Sequence, residues 1–369
     1  MTGKTKAAPC RHQKTPCLTF LATLLLATLL KAQPGDPMPI DADGTVHMPA
    51  ITVPVSELMS PAGQAYLVEH LLGLRNPESF RMIDGVPALI AGYLDRQRTL
   101  YPATTTDTTV GGVHAIVYEP TAGIAPQNRN RVLINLHGGG FSGCWLGCAE
   151  LESLAVAGIG RIRVVSLDYR QGPDHRFPAA SEDVAAAYTA LLADYAPENI
   201  GIYGCSAGGM LTAQAMAWFI QENIPLPGAI GVLCAGAAPT SDGFGGDAGY
   251  FTMPLGEGRV MATPANPVGI GGGPDGYFAN VALDDPLVAP TQSPQILAQF
   301  PPTLILSGTR SYDLSNAVYT HSQLVKHGVD TDLHMWEGMF HGFFYNSEVP
   351  ESQEAFAVIR DFFNAHLGQ

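Results

Sequence analysis

Positive charge is scarce in this sequence. Lys and Arg number 19 against 33 Asp and Glu in 369 residues, a formal net charge of −14 at pH 7. An acidic surface repels polyanions, which argues against nucleic acid and anionic membranes as partners. Cysteine is sparse too, and six in so long a chain do not make a disulfide scaffold. Apart from Cys144 and Cys148 no close pair exists, so two-plus-two zinc ligation is not expected. The chain has no internal repeats and no heptads. Charged residues of both signs reach only 14% while hydrophobic ones reach 46%, which fits a large core under a modest surface.

The one long apolar run, residues 18–30, follows Lys4, Lys6, Arg11 and Lys14, and the first acid is Asp36. A basic start, a short apolar stretch and a small residue near its end describe a secretory signal over residues 1–32, cleaved after Ala32. The run is short for a membrane span, which needs ~20 residues. An uncleaved anchor is the rival reading. The expected location is secreted or periplasmic, with no stable span once the signal is gone. Cleavage also removes Cys10 and Cys17. Cys144 and Cys148 can then pair if the protein is exported and their Cα atoms come close enough. Residues 33–56, rich in Pro, Asp and Gly, read as a tail or linker.

The rest, 57–369, reads as one α/β domain. Helical spacing of apolar residues over 57–74 and again over 87–100 marks a pair of helices ahead of the first strand, within 57–102. Residues 103–110 are polar and Thr-rich, and strand signals are read only from His114 onward. Apolar strands at 114–118, 132–136, 162–167, 200–203 and 229–234 alternate with helices at 151–157, 181–195 and 210–220. Ser181, followed by Glu182 and Asp183, reads as the cap of the second of these. Such alternation implies a mostly parallel sheet with helices on both faces. Residues 236–290 break the rhythm as an irregular insertion, read as a lid or substrate loop. Within it, Gly269-Ile-Gly-Gly-Gly-Pro lacks the strand and helix of a phosphate cradle, and Asp284-Asp285 reads as a solvated turn. Strands at 303–306 and 331–336 and helices at 315–326 and 354–365 complete the pattern.

The chemistry centres on Gly204-Cys-Ser-Ala-Gly-Gly209. A glycine-bounded strand-to-helix turn pushes the Ser206 hydroxyl out at the end of a sheet. Serine needs a base to take its proton. His341 stands in a loop after the last predicted strand, where an α/β sheet gathers its catalytic ends. His137 precedes three glycines at another strand end, where backbone N–H groups can face a forming oxyanion. Gly138, Gly139 and Ala207 are the expected donors. Asp168 and Arg170, also at a strand end, read as an ion-pair motif that supports this loop together with His137.

The motifs His137-Gly-Gly-Gly-Phe141, Asp168-Tyr-Arg170, Gly204-Cys-Ser-Ala-Gly-Gly209 and His341-Gly-Phe, in this order and spacing, resemble the hormone-sensitive-lipase-like branch of the α/β-hydrolase fold. The resemblance covers about residues 57–367. Within the branch, Ser307-Gly-Thr-Arg310 and Leu314-Ser-Asn316 look like carboxylesterases and ε-lactone hydrolases. The resemblance implies hydrolysis of a small-molecule ester or lactone with short acyl chains, through an acyl-enzyme, without metal or cofactor. It also implies that the first helices form a cap over the site. An amidase, peptidase or thioesterase on the same scaffold, and a non-catalytic binding protein, are the alternatives.

The sequence departs from the family pattern at the triad acid. The expected position, 30 residues before His341, holds Ser311. The nearest carboxylate is Asp313, two residues and at most ~7 Å of extended chain away. Asp313 is read as the acid. Ser311 as a neutral orienter and another carboxylate remain as alternatives.

Overall fold

The computed structural model describes residues 2–3, 38–48, 50–239, 246–252 and 276–368. The expected signal and the Gly269–Pro274 motif lie outside the described residues, apart from residues 2–3. The chain divides into two units, 1–53 and 54–369. In the first, the described residues form a single antiparallel bridge between Ile40 and Val46.

The second unit is built on an eight-stranded sheet. Its centre is β5 (Val132–Leu136), five residues buried on both faces, as a strand covered by helices on either side requires. β7 (Ile200–Cys205), β8 (Ala229–Leu233) and β9 (Thr303–Gly308) are equally buried. The strand order is β10-β9-β8-β7-β5-β6-β4-β3, completed by β10 (Thr331–Trp336), β6 (Arg163–Leu167), β4 (Val113–Pro120) and β3 (Ala103–Val110). All pairings are parallel except β6 with β4 and β4 with β3. A two-stranded hairpin, β1 (Met82–Ile83) and β2 (Val86–Pro87), stands apart from this sheet.

The edge strand β3 corrects the sequence reading of 103–110. Its polarity hides a strand because an edge strand with an open face buries little. The β-branched threonines that supply the polarity also favour extended backbone.

Helices α1 (Pro61–Gly73) and α2 (Ala88–Leu100) precede the sheet. α3 (Gly147–Gly160), α4 (Ala179–Leu191) and α5 (Ala207–Glu222) follow β5, β6 and β7. The short α6 (Ala248–Phe251) and α7 (Pro294–Leu297) come before β9, and α8 (Leu314–Lys326) and α9 (Pro350–His366) after it. Ser181 does not cap α4. The helix begins two residues earlier, behind Pro178, and leaves Ser181 buried inside its first turn.

One buried cluster lies between the sheet and the side of α4 and α5, and a second against α3 and α9. The described end of the insertion joins the first cluster. Tyr277 and Phe278 are buried, and the Tyr277 ring stacks on Phe141 at 4.9 Å. This part of 236–290 is therefore core rather than lid. Its apolar residues are too few and too irregularly spaced to show a period, which hid their role in the sequence. Asp285 closes a turn by accepting from the Leu287 N–H at 2.8 Å, as a solvated turn would.

Candidate active site

Parallel strands β7, β9 and β10 run in one direction, so the segments after them leave from the same end of the sheet. Ser206 stands between β7 and α5 with φ 59° and ψ −121°. A non-glycine residue at positive φ costs about 1–3 kcal/mol and persists only where the surroundings impose it. The imposing contact is backbone against backbone. A Cβ on Gly204 would sit 2.1 Å from the Leu136 carbonyl oxygen, and one on Gly208 only 1.6 Å from it. The two glycines let the elbow press onto the end of β5.

β9 and β10 exit together. Gly308 packs on the Met339 carbonyl, which also accepts the Arg310 N–H at 2.9 Å. This interlacing brings Asp313, the residue before α8, to His341. His341 Nδ1 lies 2.8 Å from Asp313 Oδ1. Asp313 is fully buried, whereas the His341 side chain keeps 12% exposure. Ser307 Oγ donates to Asp313 Oδ2 at 2.5 Å, and Ser311 Oγ donates to Oδ1. The Tyr312 ring stacks on the imidazole at 4.3 Å. The carboxylate alternative and the serine alternative thus occupy one network. Asp313 faces the imidazole, and Ser311 supports the carboxylate. Glu337 accepts from Thr309 Oγ1 at 3.0 Å and packs its own loop.

The glycine loop after β5 adjoins the elbow, and a Cβ on Gly138 would lie 3.4 Å from Ser206 Cβ. One expected donor is removed by the structure. The Gly138 N–H is buried and donates to Glu152 Oε1 at 2.8 Å, so it is not available to a substrate. Gly139 and Gly140 are partly exposed at positive φ, and their N–H groups have no acceptor among the described residues. Ala207 occupies the first position of α5, where a helix leaves its N–H without an intrahelical partner. His137 is wholly buried. Its Nδ1 lies 2.6 Å from the Gly138 carbonyl, and its ring stacks on Tyr169, whose hydroxyl donates to the His137 carbonyl. Burial pushes its pKa down to about 4, so the imidazole is neutral.

Asp168 and Arg170 do not pair with each other. Asp168 meets His114 Nδ1 at 3.0 Å. Arg170 Nε donates to Asp183 Oδ1 at 2.8 Å and its Nη2 to Glu182 at 2.9 Å. The expected single ion-pair motif is two separate ones, and Arg170 ties the strand end to α4.

Sequence reasoning missed Glu152. It lies in α3 at 1% exposure and takes four hydrogen bonds. The available signal was an acid inside the otherwise uncharged, mostly apolar stretch Leu151-Glu-Ser-Leu-Ala-Val-Ala157.

The first helices anchor beside the histidine loop. Tyr66 and His70 of α1 contact the Phe340 ring at 4.9 and 3.6 Å, and Gln97 of α2 donates to the Tyr345 carbonyl. Cys144 and Cys148 form a disulfide, with Cα atoms 5.4 Å apart. Among the described residues no group of three His, Cys, Asp or Glu could hold a metal, and no helix is long and apolar enough to cross a membrane.

A family profile described as "alpha/beta hydrolase fold" matches residues 133–345. The chain is 28% identical over 251 residues to an acetyl-hydrolase of Streptomyces hygroscopicus, covering 65% of this chain and 77% of that one. It is 29% identical over 248 residues to the carboxylesterase/phospholipase LipF of Mycobacterium tuberculosis, covering 64% and 63%. Among solved structures, esterase E25 superposes with a TM-score of 0.70 at 27% identity, over 87% of this chain and 99% of that one. An esterase from the bacterial hormone-sensitive lipase family gives 0.68 at 26% identity, over 84% and 99%. The chain belongs to the α/β-hydrolase fold family, and the solved structures it resembles are esterases, one of them from the bacterial hormone-sensitive lipase family.

Proposed function

We propose that this protein hydrolyses small carboxylic esters with short acyl chains through an acyl-enzyme on Ser206. The observation that carries the reading is the buried Asp313 carboxylate 2.8 Å from His341 Nδ1, at the sheet end that also presents the Ser206 elbow. Ser206 Oγ attacks the carbonyl carbon. His341 Nε2 takes the hydroxyl proton, gives it to the leaving alkoxide, then draws a proton from the water that cleaves the acyl-enzyme and passes it back to the departing Ser206 Oγ. Asp313 holds the imidazole in the tautomer with hydrogen on Nδ1 and stabilises the imidazolium. The N–H groups of Gly139, Gly140 and Ala207 receive the oxyanion. The chemistry needs no metal or cofactor.

The name of one relative, an acetyl-hydrolase, favours a small acyl group, and that of the other, a carboxylesterase/phospholipase, favours carboxylic esters. Lactones fall within the same mechanism, since ring opening forms the same acyl-enzyme with the alcohol still attached. Export of the protein after loss of residues 1–32 agrees with the Cys144–Cys148 disulfide, which belongs to an oxidising compartment.

The test is a chain-length series of p-nitrophenyl esters together with an ε-lactone, an anilide and a thioester, on the wild type and Ser206→Ala. Turnover highest on short esters and abolished by Ser206→Ala is expected. Preference for the anilide or the thioester would replace this reading with the amidase or thioesterase one.

A further inference from the structure

The proposed reaction leaves the buried Glu152 carboxylate beside the site unused. Glu152 Oε1 accepts from the Gly138 N–H at 2.8 Å and from the Tyr345 hydroxyl at 2.9 Å. Its Oε2 accepts from Asn135 Nδ2 at 3.1 Å and from the Cys205 N–H at 3.2 Å. A carboxylate has about four lone-pair sites, and all four are used. Two of these donors are backbone groups of different segments, and each stands next to catalytic machinery. Gly138 precedes Gly139 in the oxyanion loop, and Cys205 precedes Ser206.

We propose that Glu152 is a positioning residue that holds the oxyanion loop in register with the nucleophile elbow. This rests on the ester-hydrolase reading and adds to it. One anion clamps both segments, so the N–H groups of Gly139 and Gly140 stay at a fixed distance from the carbon that Ser206 attacks. Hydrogen bonds to an ionised acceptor are roughly twice as strong as neutral ones. Glutamine cannot substitute. Whichever way its amide is turned, the NH₂ faces either the Gly138 N–H or the Cys205 N–H, donor against donor.

Protonation would loosen the clamp, since of the four donors only the Tyr345 hydroxyl can turn to accept a proton. Burial pushes the Glu152 pKa up to about 7, against the four hydrogen bonds that hold it down. The other ionisable groups around it are Tyr169, Tyr203, Tyr345, Cys205, Cys234 and His137. Burial keeps every one neutral near pH 7, raising the phenols and thiols and lowering the imidazole. The clamp therefore tightens as pH rises through neutrality.

Steady-state hydrolysis of p-nitrophenyl acetate by wild type, Ser206→Ala, Glu152→Gln and Tyr345→Phe tests this, with thermal melting beside it. Glu152→Gln is expected to lower kcat about 10²-fold while KM changes less than about threefold. Misplaced oxyanion donors weaken the transition state rather than the bound ester. Tyr345→Phe removes one donor to the carboxylate and is expected to move the acidic limb of kcat to higher pH by about one unit. A folded Glu152→Gln protein with wild-type kcat overturns the positioning role. If that variant does not fold, the Tyr345→Phe profile decides alone, and an unmoved limb overturns it. Activity retained by Ser206→Ala would instead overturn the underlying ester-hydrolase reading.

Discussion

Asp313→Asn removes the charge that faces His341 and little else, since the side chains are nearly equal in size. The Asp313 side chain is fully buried, so water cannot replace the lost anion. The carboxylate accepts from three sources: His341 Nδ1, Ser307 Oγ and Ser311 Oγ. An asparagine keeps one oxygen. If that oxygen takes the place of Oδ2 and faces Ser307, the NH₂ meets Ser311 and Nδ1 and selects the tautomer with hydrogen on Nε2, which cannot act as base toward Ser206. If it faces the histidine, the tautomer is right but no charge stabilises the imidazolium. Loss of the acid in a serine triad costs ~10⁴ in turnover, about 5 kcal/mol of barrier. Hydrolysis of p-nitrophenyl butyrate is therefore expected to fall 10³–10⁴-fold in kcat, the smaller loss applying if Ser311 partly orients the ring. Ser311→Ala removes one supporting hydroxyl and is expected to cost about 1 kcal/mol, or fivefold. An Asp313→Asn enzyme within tenfold of wild type refutes the assignment. So does a Ser311→Ala variant that loses more than the Asn variant.

Further outcomes follow from the same geometry. Gly208→Ala puts a methyl 1.6 Å from the Leu136 carbonyl oxygen, so ester hydrolysis is expected to vanish and the melting temperature to drop with ~1–3 kcal/mol of lost stability. Unchanged activity would mean that the elbow is not seated on β5. His137 bears on acid stability. Its folded pKa of about 4 lies below the unfolded value of ~6.5, so the unfolded chain binds the extra proton and stability falls as pH drops through that window. Urea unfolding should show wild type losing about 3 kcal/mol more than His137→Gln between these pH values. Equal slopes would place the imidazole in contact with water. Reducing the Cys144–Cys148 disulfide opens a short loop and is expected to lower unfolding free energy by about 2 kcal/mol in urea titrations with and without dithiothreitol. No difference would show that the bond does not constrain the unfolded chain.

The central sheet was legible because β5, β7, β8 and β9 are short apolar runs bounded by turns, and burial on both faces leaves that mark in any sequence. Ser206 and His341 were read from the elbow and from the loop after the last strand, whereas spacing along the chain pointed to Ser311 for the acid, and Asp313 was read as its nearest carboxylate, which the structure sets 2.8 Å from His341 Nδ1. What stayed hidden depends on partners far apart in sequence. β3 is a strand because β4 offers it hydrogen bonds, not because its own residues are apolar. The Gly138 N–H looked like an oxyanion donor because nothing local reveals the Glu152 carboxylate beneath it, 14 residues on. Asp168 and Arg170, two residues apart, suggested one ion pair, yet each reaches a different element, His114 of β4 and Asp183 of α4.

Whether Ser206 carries the acyl group is settled most directly by peptide mass spectrometry of the intact enzyme after treatment with a fluorophosphonate, with wild type, Ser206→Ala and His341→Ala side by side. The expected result is one adduct on the peptide holding Gly204-Cys-Ser-Ala-Gly-Gly209 in wild type, none in Ser206→Ala, and labelling slowed by orders of magnitude in His341→Ala. An adduct on another residue, or an unlabelled wild type that still hydrolyses esters, would contradict the account.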